Sequence, residues 1–257
     1  GGTSIGSSVA MACAAGEDPR AMMEAYNYFF LQRKAFGRYT PPVYGLLDHR
    51  HVDNSLRQRY GTLQLEDLSL NCYVVAANLS TNQREILRQG PCWEAMRMSA
   101  SIPVALPPWI NPRGEVLVDG GLIDYVPASV MHGIKPGPNL VFMLSPGQRW
   151  EVKAAYAQLP SRLRQLWQLI TGGKGHADFP RIGQTVARSM QISSNSTLVA
   201  SRHSGDLLIE PPTVPGMALT AWKMGTAQEQ AGYEYTCRWL EQQGGLDGLQ
   251  AWRRGQR

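Results

Sequence analysis

Four cysteines in 257 residues, none of them in a C-x-x-C pair, are too few and too scattered for a disulfide framework or a zinc site. Cys13, Cys72, Cys92 and Cys237 therefore read as reduced core thiols. No apolar run approaches the about 18 residues that a membrane-crossing helix needs. The chain carries no internal repeat and no acidic loop with calcium-ligand spacing, and no nucleic-acid-binding motif accompanies its basic residues. Nothing in it implies a metal or a cofactor. The first residue is Gly rather than Met, and no strand precedes the first turn, so the expectation is a piece of a longer protein. In such a piece the absence of a signal peptide carries no information.

What is present suffices for one sizeable core, since 43% of the residues are hydrophobic. The expected layout is one domain over residues 1–245 and a polar tail over 246–257. The net charge of +5 is uneven. Seven cations between Arg149 and Arg188 face only Glu151 and Asp178, so this stretch carries the whole excess. Within it Leu163, Leu166, Trp167 and Ile170 recur at helical spacing, which suits either a helix packed on the core or an amphipathic helix on anionic lipid.

Helical and extended patterns alternate along the chain. Residues 7–15 and 19–36 have helical character, as do 52–60, a helix opening at Pro91, and 217–243. The segment 70–79 reads as a buried strand with 85–88 as its partner, and 115–118, 140–144 and 207–209 are further strands. This alternation indicates an α/β fold, a mostly parallel sheet covered by helices on both faces.

Gly2, Ser4 and Gly6 fit G-x-S-x-G, the turn that presents a nucleophilic serine between a strand and a helix. Side chains at positions 2 and 6 are expected to collide with the neighbouring strand and helix. A serine needs a base. Asp119 follows the apolar strand Val116-Leu117-Val118 and precedes Gly120 and Gly121, so its carboxylate emerges at a strand's carboxyl end. It also suits the N-cap of a following helix. Two readings of the base stay open on residues alone: Asp119 by itself, or Asp119 with His132 or His203 in a Ser-Asp-His order. A non-catalytic membrane-associated module is the third possibility.

The segments Gly2–Gly6 and Asp119–Gly121 resemble the patatin-like phospholipases. Arg97-Met98-Ser99-Ala100-Ser101-Ile102-Pro103, the Pro107-Pro108 pair and 206–211 are similar to its neuropathy-target-esterase-like branch. The resemblance implies a three-layer patatin-like fold and a Ser–Asp dyad without histidine, with Ser4 as nucleophile and Asp119 as its activating group. It implies a phospholipid or lysophospholipid substrate, peripheral membrane-surface contact and a cytoplasmic or membrane-peripheral location. Met22, Met23, Trp109 and Ile110 are candidates for the acyl groove. The family's glycine-rich oxyanion loop has no counterpart upstream of Ser4, leaving the amide of Ile5 as one donor. The expectation is a weak or inactive hydrolase that an upstream extension restores.

Overall fold

The computed structural model describes residues 1–144, 159–165, 205–215 and 222–255, with 182, 185, 186, 188–190 and 192 in addition. Most of the basic stretch 149–188, including Trp167 and Ile170, and also His203, lies outside the described residues.

A two-residue strand, β1 (Gly2–Thr3), does lead into the first turn and delivers the chain to helix α1 (Ile5–Ala14). Gly16, at φ 73°, closes α1 in a conformation that favours glycine. Asp18 caps helix α2 (Pro19–Asn27), accepting from the amides of Arg20 and Ala21, with Pro19 at the first helical position. The helix then loosens into a π-helical turn over Tyr28–Gln32. Asp48 caps helix α3 (His49–Tyr60), which Gly61 ends at φ 57°.

Strand β2 (Val74–Asn78) is buried along its whole length, and β3 (Gln83–Leu87) folds back on it. Asn78 builds that turn by accepting from the amides of Ser80 and Thr81. Helix α4 (Cys92–Ser99) follows, then β4 (Trp109–Ile110), β5 (Val116–Asp119), helix α5 (Ala128–Ile134), β6 (Leu140–Phe142), β7 (Leu207–Ile209) and helices α6 (Gly225–Gln242) and α7 (Gly245–Gly255). The expected polar tail is thus α7. Its Trp252 donates to the carbonyl of Gly205.

The α/β class holds, but the described sheet is mixed rather than mostly parallel. β1 with β2 and β6 with β7 run parallel, whereas β2 with β3, β2 with β5 and β4 with β5 run antiparallel. The short links between β2 and β3 and between β4 and β5 leave no room for a crossover helix, so those pairs must reverse.

Adjacent residues of β2 face opposite layers. Val74 packs with Met11, Val52, Leu56 and Met96, the layer of α1, α3 and α4. Val75 packs with Tyr73 and Val130, the layer of α5. Both valines are fully buried, as in a sheet covered on its two sides. Cys72 and Cys92 belong to this core, while Cys13 is exposed.

Candidate active site

β3 occupies one edge of β2 completely, so β1 and β5 share the other edge end to end. Thr3 pairs with Val75 and Asp119 pairs with Ala76, with β1 parallel to β2 and β5 antiparallel. The carboxyl ends of β1 and β5 therefore meet at the Val75–Ala76 peptide. The next residue of one strand is Ser4, and the last residue of the other is Asp119.

At that junction Ser4 Oγ donates to Asp119 Oδ2 at 2.7 Å. Asp119 Oδ1 accepts from the amide of Gly121 at 2.8 Å, starting the short helical turn Gly120–Leu122. The carboxylate thus serves as a cap and as the serine's partner together. Burial pushes the pKa of Asp119 up to about 6, with the bonds from Gly121 and Ser4 pulling the other way.

Ser4 has φ 51° and ψ −124°, a conformation that a side chain tolerates only under strain of order 1–3 kcal/mol. Its amide donates to Ser99 Oγ at 2.8 Å, and its carbonyl accepts from Ser7 N at 2.9 Å. Ser99 Oγ donates in turn to the carbonyl of Val75 at 2.7 Å and lies 3.0 Å from Ser7 Oγ. Ser7 Oγ also donates to Gly2 O. Both hydroxyls are fully buried.

The acid has its own support. The amide of Asp119 donates to the carbonyl of Ser101 at 3.0 Å. Ser101 is held by the buried guanidinium of Arg97, which donates to Ser101 Oγ, to Asp53 Oδ1 at 2.7 Å and to Pro107 O at 3.1 Å. Beyond the acid, Thr3 Oγ1 donates to Asp124 O, and Arg84 pairs with the buried Asp124 carboxylate.

Glycine is needed here unevenly. A Cβ at Gly120 would lie 2.3 Å from the carbonyl oxygen of Val75, and one at Gly2 would lie 2.4 Å from the backbone of Gly6. A Cβ at Gly121 would come within 3.0 Å of Asp119 Oδ1. At Gly6 it would meet nothing within 4 Å, so the expected collision does not occur at that position. Gly6 sits on the first turn of α1, where the direction a Cβ would take is open.

His132 does not join the pair. Its Nε2 lies 2.9 Å from Asp206 Oδ2 and 3.0 Å from Asn139 Nδ2, which ties α5 to the β6–β7 ribbon. The proposed groove residues divide between elements: Met22 and Met23 are half-buried on α2, while Trp109 lies edge-to-face with Trp93 on β4, next to an exposed Ile110. Ser99, Arg97 and Asp53 had no role from sequence. Arg97 and Ser99 fall inside a recognised motif, whereas nothing local marks Asp53. Among the described residues no group of three or more His, Cys, Asp or Glu is placed to hold a metal ion.

A strained serine bonded to a buried carboxylate at the meeting point of two strands is the arrangement that the resemblance to the patatin-like family leads one to expect. A sequence model of that family, described as patatin-like phospholipase, matches residues 1–132, and the chain belongs to it. Its relatives are of the NTE type. An uncharacterized NTE family protein of Mycobacterium bovis is 28% identical over 215 residues, covering 82% of this chain and 36% of that protein. The lysophospholipase NTE1 of Yarrowia lipolytica is 26% identical over 219 residues, 82% of this chain and 15% of that protein. Its namesake from Phaeosphaeria nodorum is 27% identical over 248 residues, 94% of this chain and 16% of that protein. The chain thus spans about a third of the mycobacterial relative and a smaller share of the fungal ones.

Proposed function

We propose that the chain hydrolyses acyl esters of phospholipids or lysophospholipids through a Ser4–Asp119 dyad. Ser4 Oγ attacks the ester carbonyl while Asp119 Oδ2 takes the hydroxyl proton. Collapse of the tetrahedral intermediate returns that proton to the departing alcohol and leaves an acyl group on Ser4. Water, deprotonated by the same carboxylate, then releases the fatty acid and frees Ser4. The amide of Ile5, the first of α1, lies outside the helix's own hydrogen-bond ladder and supplies one donor to the oxyanion.

The observation that carries this reading is the 2.7 Å bond between Ser4 Oγ and the buried Asp119 carboxylate. An ordinary carboxylate is too weak a base for a serine hydroxyl. Burial raises Asp119 to about 6, close to imidazole, so a histidine is dispensable.

A fluorophosphonate probe tests the nucleophile, and turnover of lysophosphatidylcholine tests the reaction. Ser4→Ala should abolish both, and Asp119→Asn should cut turnover by about 10²-fold or more. His132→Ala should keep most of it. Failure of the probe to label Ser4, with no turnover either in this chain or in one extended upstream, would leave a non-catalytic module instead.

A further inference from the structure

We infer that the loop Tyr39–Leu47 is a membrane-docking element that seats the chain on an anionic lipid bilayer. The inference rests on the lipid-ester reading above. It starts from an arrangement that a folded chain would otherwise avoid. Tyr39, Val43 and Tyr44 are 75%, 74% and 81% exposed, three large apolar side chains within six residues.

The loop is built to hold them out. Tyr39 and Leu47 form a bridge at its base, the amide of Asp48 donates to Arg38 O, and Thr40 N donates to Leu46 O. Pro41 and Pro42 stiffen the tip and reduce the entropy lost on ordering it. Leu46 and Leu47 donate to the carbonyls of Val104 and Ala105, and Gly45 is wedged so tightly that a Cβ would lie 2.9 Å from Pro107. The tip cannot fold back onto the core without breaking this base.

Val104, where the loop is pinned, carries a second signal. Its φ of 71° is strained for a β-branched residue, yet its side chain is exposed. The same segment begins at Ser101, whose carbonyl holds the Asp119 amide. The apolar tip and the reacting carboxylate are thus mounted on one piece of backbone.

Charge selects the occupant. Within the segment 33–50, Arg33, Lys34, Arg38 and Arg50 are exposed, and its one carboxylate, Asp48, is engaged as the cap of α3. A groove of about 390 Å³ at the base is bounded by Tyr39, Thr40, Pro41, Asp48, His49 and Arg50. Tyrosines flanked by exposed cations match the boundary between anionic headgroups and acyl chains. Each cation near such a surface strengthens binding about fivefold.

The test uses the 257-residue chain carrying Ser4→Ala, so that binding is read without turnover. It should co-sediment with vesicles of phosphatidylcholine mixed with phosphatidylserine, and added salt should weaken that binding. Tyr39→Ser/Val43→Ser/Tyr44→Ser should lower the partition coefficient about tenfold or more. Arg38→Glu/Arg50→Glu should remove the preference for phosphatidylserine, giving a second route that leaves the tip intact. On the Ser4 background, the serine triple should hydrolyse a soluble short-chain ester at the parental rate and lose activity on vesicles. Vesicle binding that survives both sets of changes overturns the inference. So does a dimer in solution that the triple dissociates, because the loop would then join two copies. Binding without hydrolysis of any ester would sink the lipase reading and leave the docking element standing.

Discussion

The buried hydroxyl of Ser99 accepts the amide of Ser4 at 2.8 Å while donating to the carbonyl of Val75, the β2 residue paired with Thr3. One side chain from the end of α4 thus fixes both the strained turn and the strand it leaves.

Ser99→Ala should therefore cost more than a surface serine would. It leaves a buried amide and a buried carbonyl short of a partner, a loss of about 1–3 kcal/mol in chemical denaturation. Ser4 would also lose its fixed orientation. Turnover of a soluble ester should fall about tenfold or more, mainly in kcat, since the serine and the acid are both still present. Ser99→Thr, which keeps the hydroxyl, should recover part of the rate.

Asp119 gives two pH dependences. In the proposed dyad Asp119 is the base and must be ionised, so kcat/KM should rise with pH through about 6 and level off above it. Stability runs the opposite way. The folded pKa is raised above the unfolded value of 3.8, so the contribution is fully present below that value and is lost as the pH climbs through about 6. At pH values above this window ionised Asp119 costs on the order of 1–3 kcal/mol. Asp119→Asn should accordingly be slower by the factor given above but more stable than the parent in mildly alkaline buffer, with the gap shrinking in acid. Denaturation midpoints across the pH range would check the sign.

Three of the glycines around the pair should respond differently to alanine. Gly120→Ala drives a methyl into the carbonyl of Val75 and should cost about 2–4 kcal/mol or prevent folding. Gly2→Ala should be comparably damaging, since its methyl meets the backbone of Gly6. Gly6→Ala meets open space at a helical position and should be neutral or stabilise by about 0.5–1 kcal/mol. Thermal melts of the three variants would separate the sites.

Arg97 offers a test of the acid's support. Its guanidinium joins Asp53, Ser101 and Pro107 through three different nitrogens, which a lysine ammonium cannot reproduce. Arg97→Lys should destabilise the fold by about 3 kcal/mol, leaving Asp53 and Ser101 partly unpaired. Asp53→Asn, which keeps one acceptor for Nε, should cost less.

The parts of this site that obey local grammar were legible in the sequence. G-T-S-I-G and D-G-G are turns whose residue types are demanded by their own backbones, so Ser4 and Asp119 stood out although 115 positions separate them. Ser99, Arg97 and Asp53 act through hydrogen bonds across the core, and such bonds leave no period or spacing in the chain. The pairing of 70–79 with 85–88 across the short turn at 80–82 is legible in the sequence, whereas alternation of helices and strands says nothing about the reversal at Asn111, where a side chain closes the turn. Residues 246–257 looked polar enough for a tail. Leu246, Leu249 and Trp252 recur every third position there, a weak helical stripe that the surrounding charges conceal.

The head-on arrangement of β1 and β5 along β2 has a bearing on how this family tolerates change. A single peptide unit of β2 acts as the ruler between Ser4 and Asp119. The long excursions from Ser4 to β2 and from β2 to Asp119 can lengthen, shorten or acquire whole subdomains without altering that spacing. A one-residue slip of β1 or β5 along β2 would instead part the two groups by about 3.3 Å and break the bond between them. Diversity in such proteins should therefore accumulate in the connections, while the five residues of β2 admit none in length.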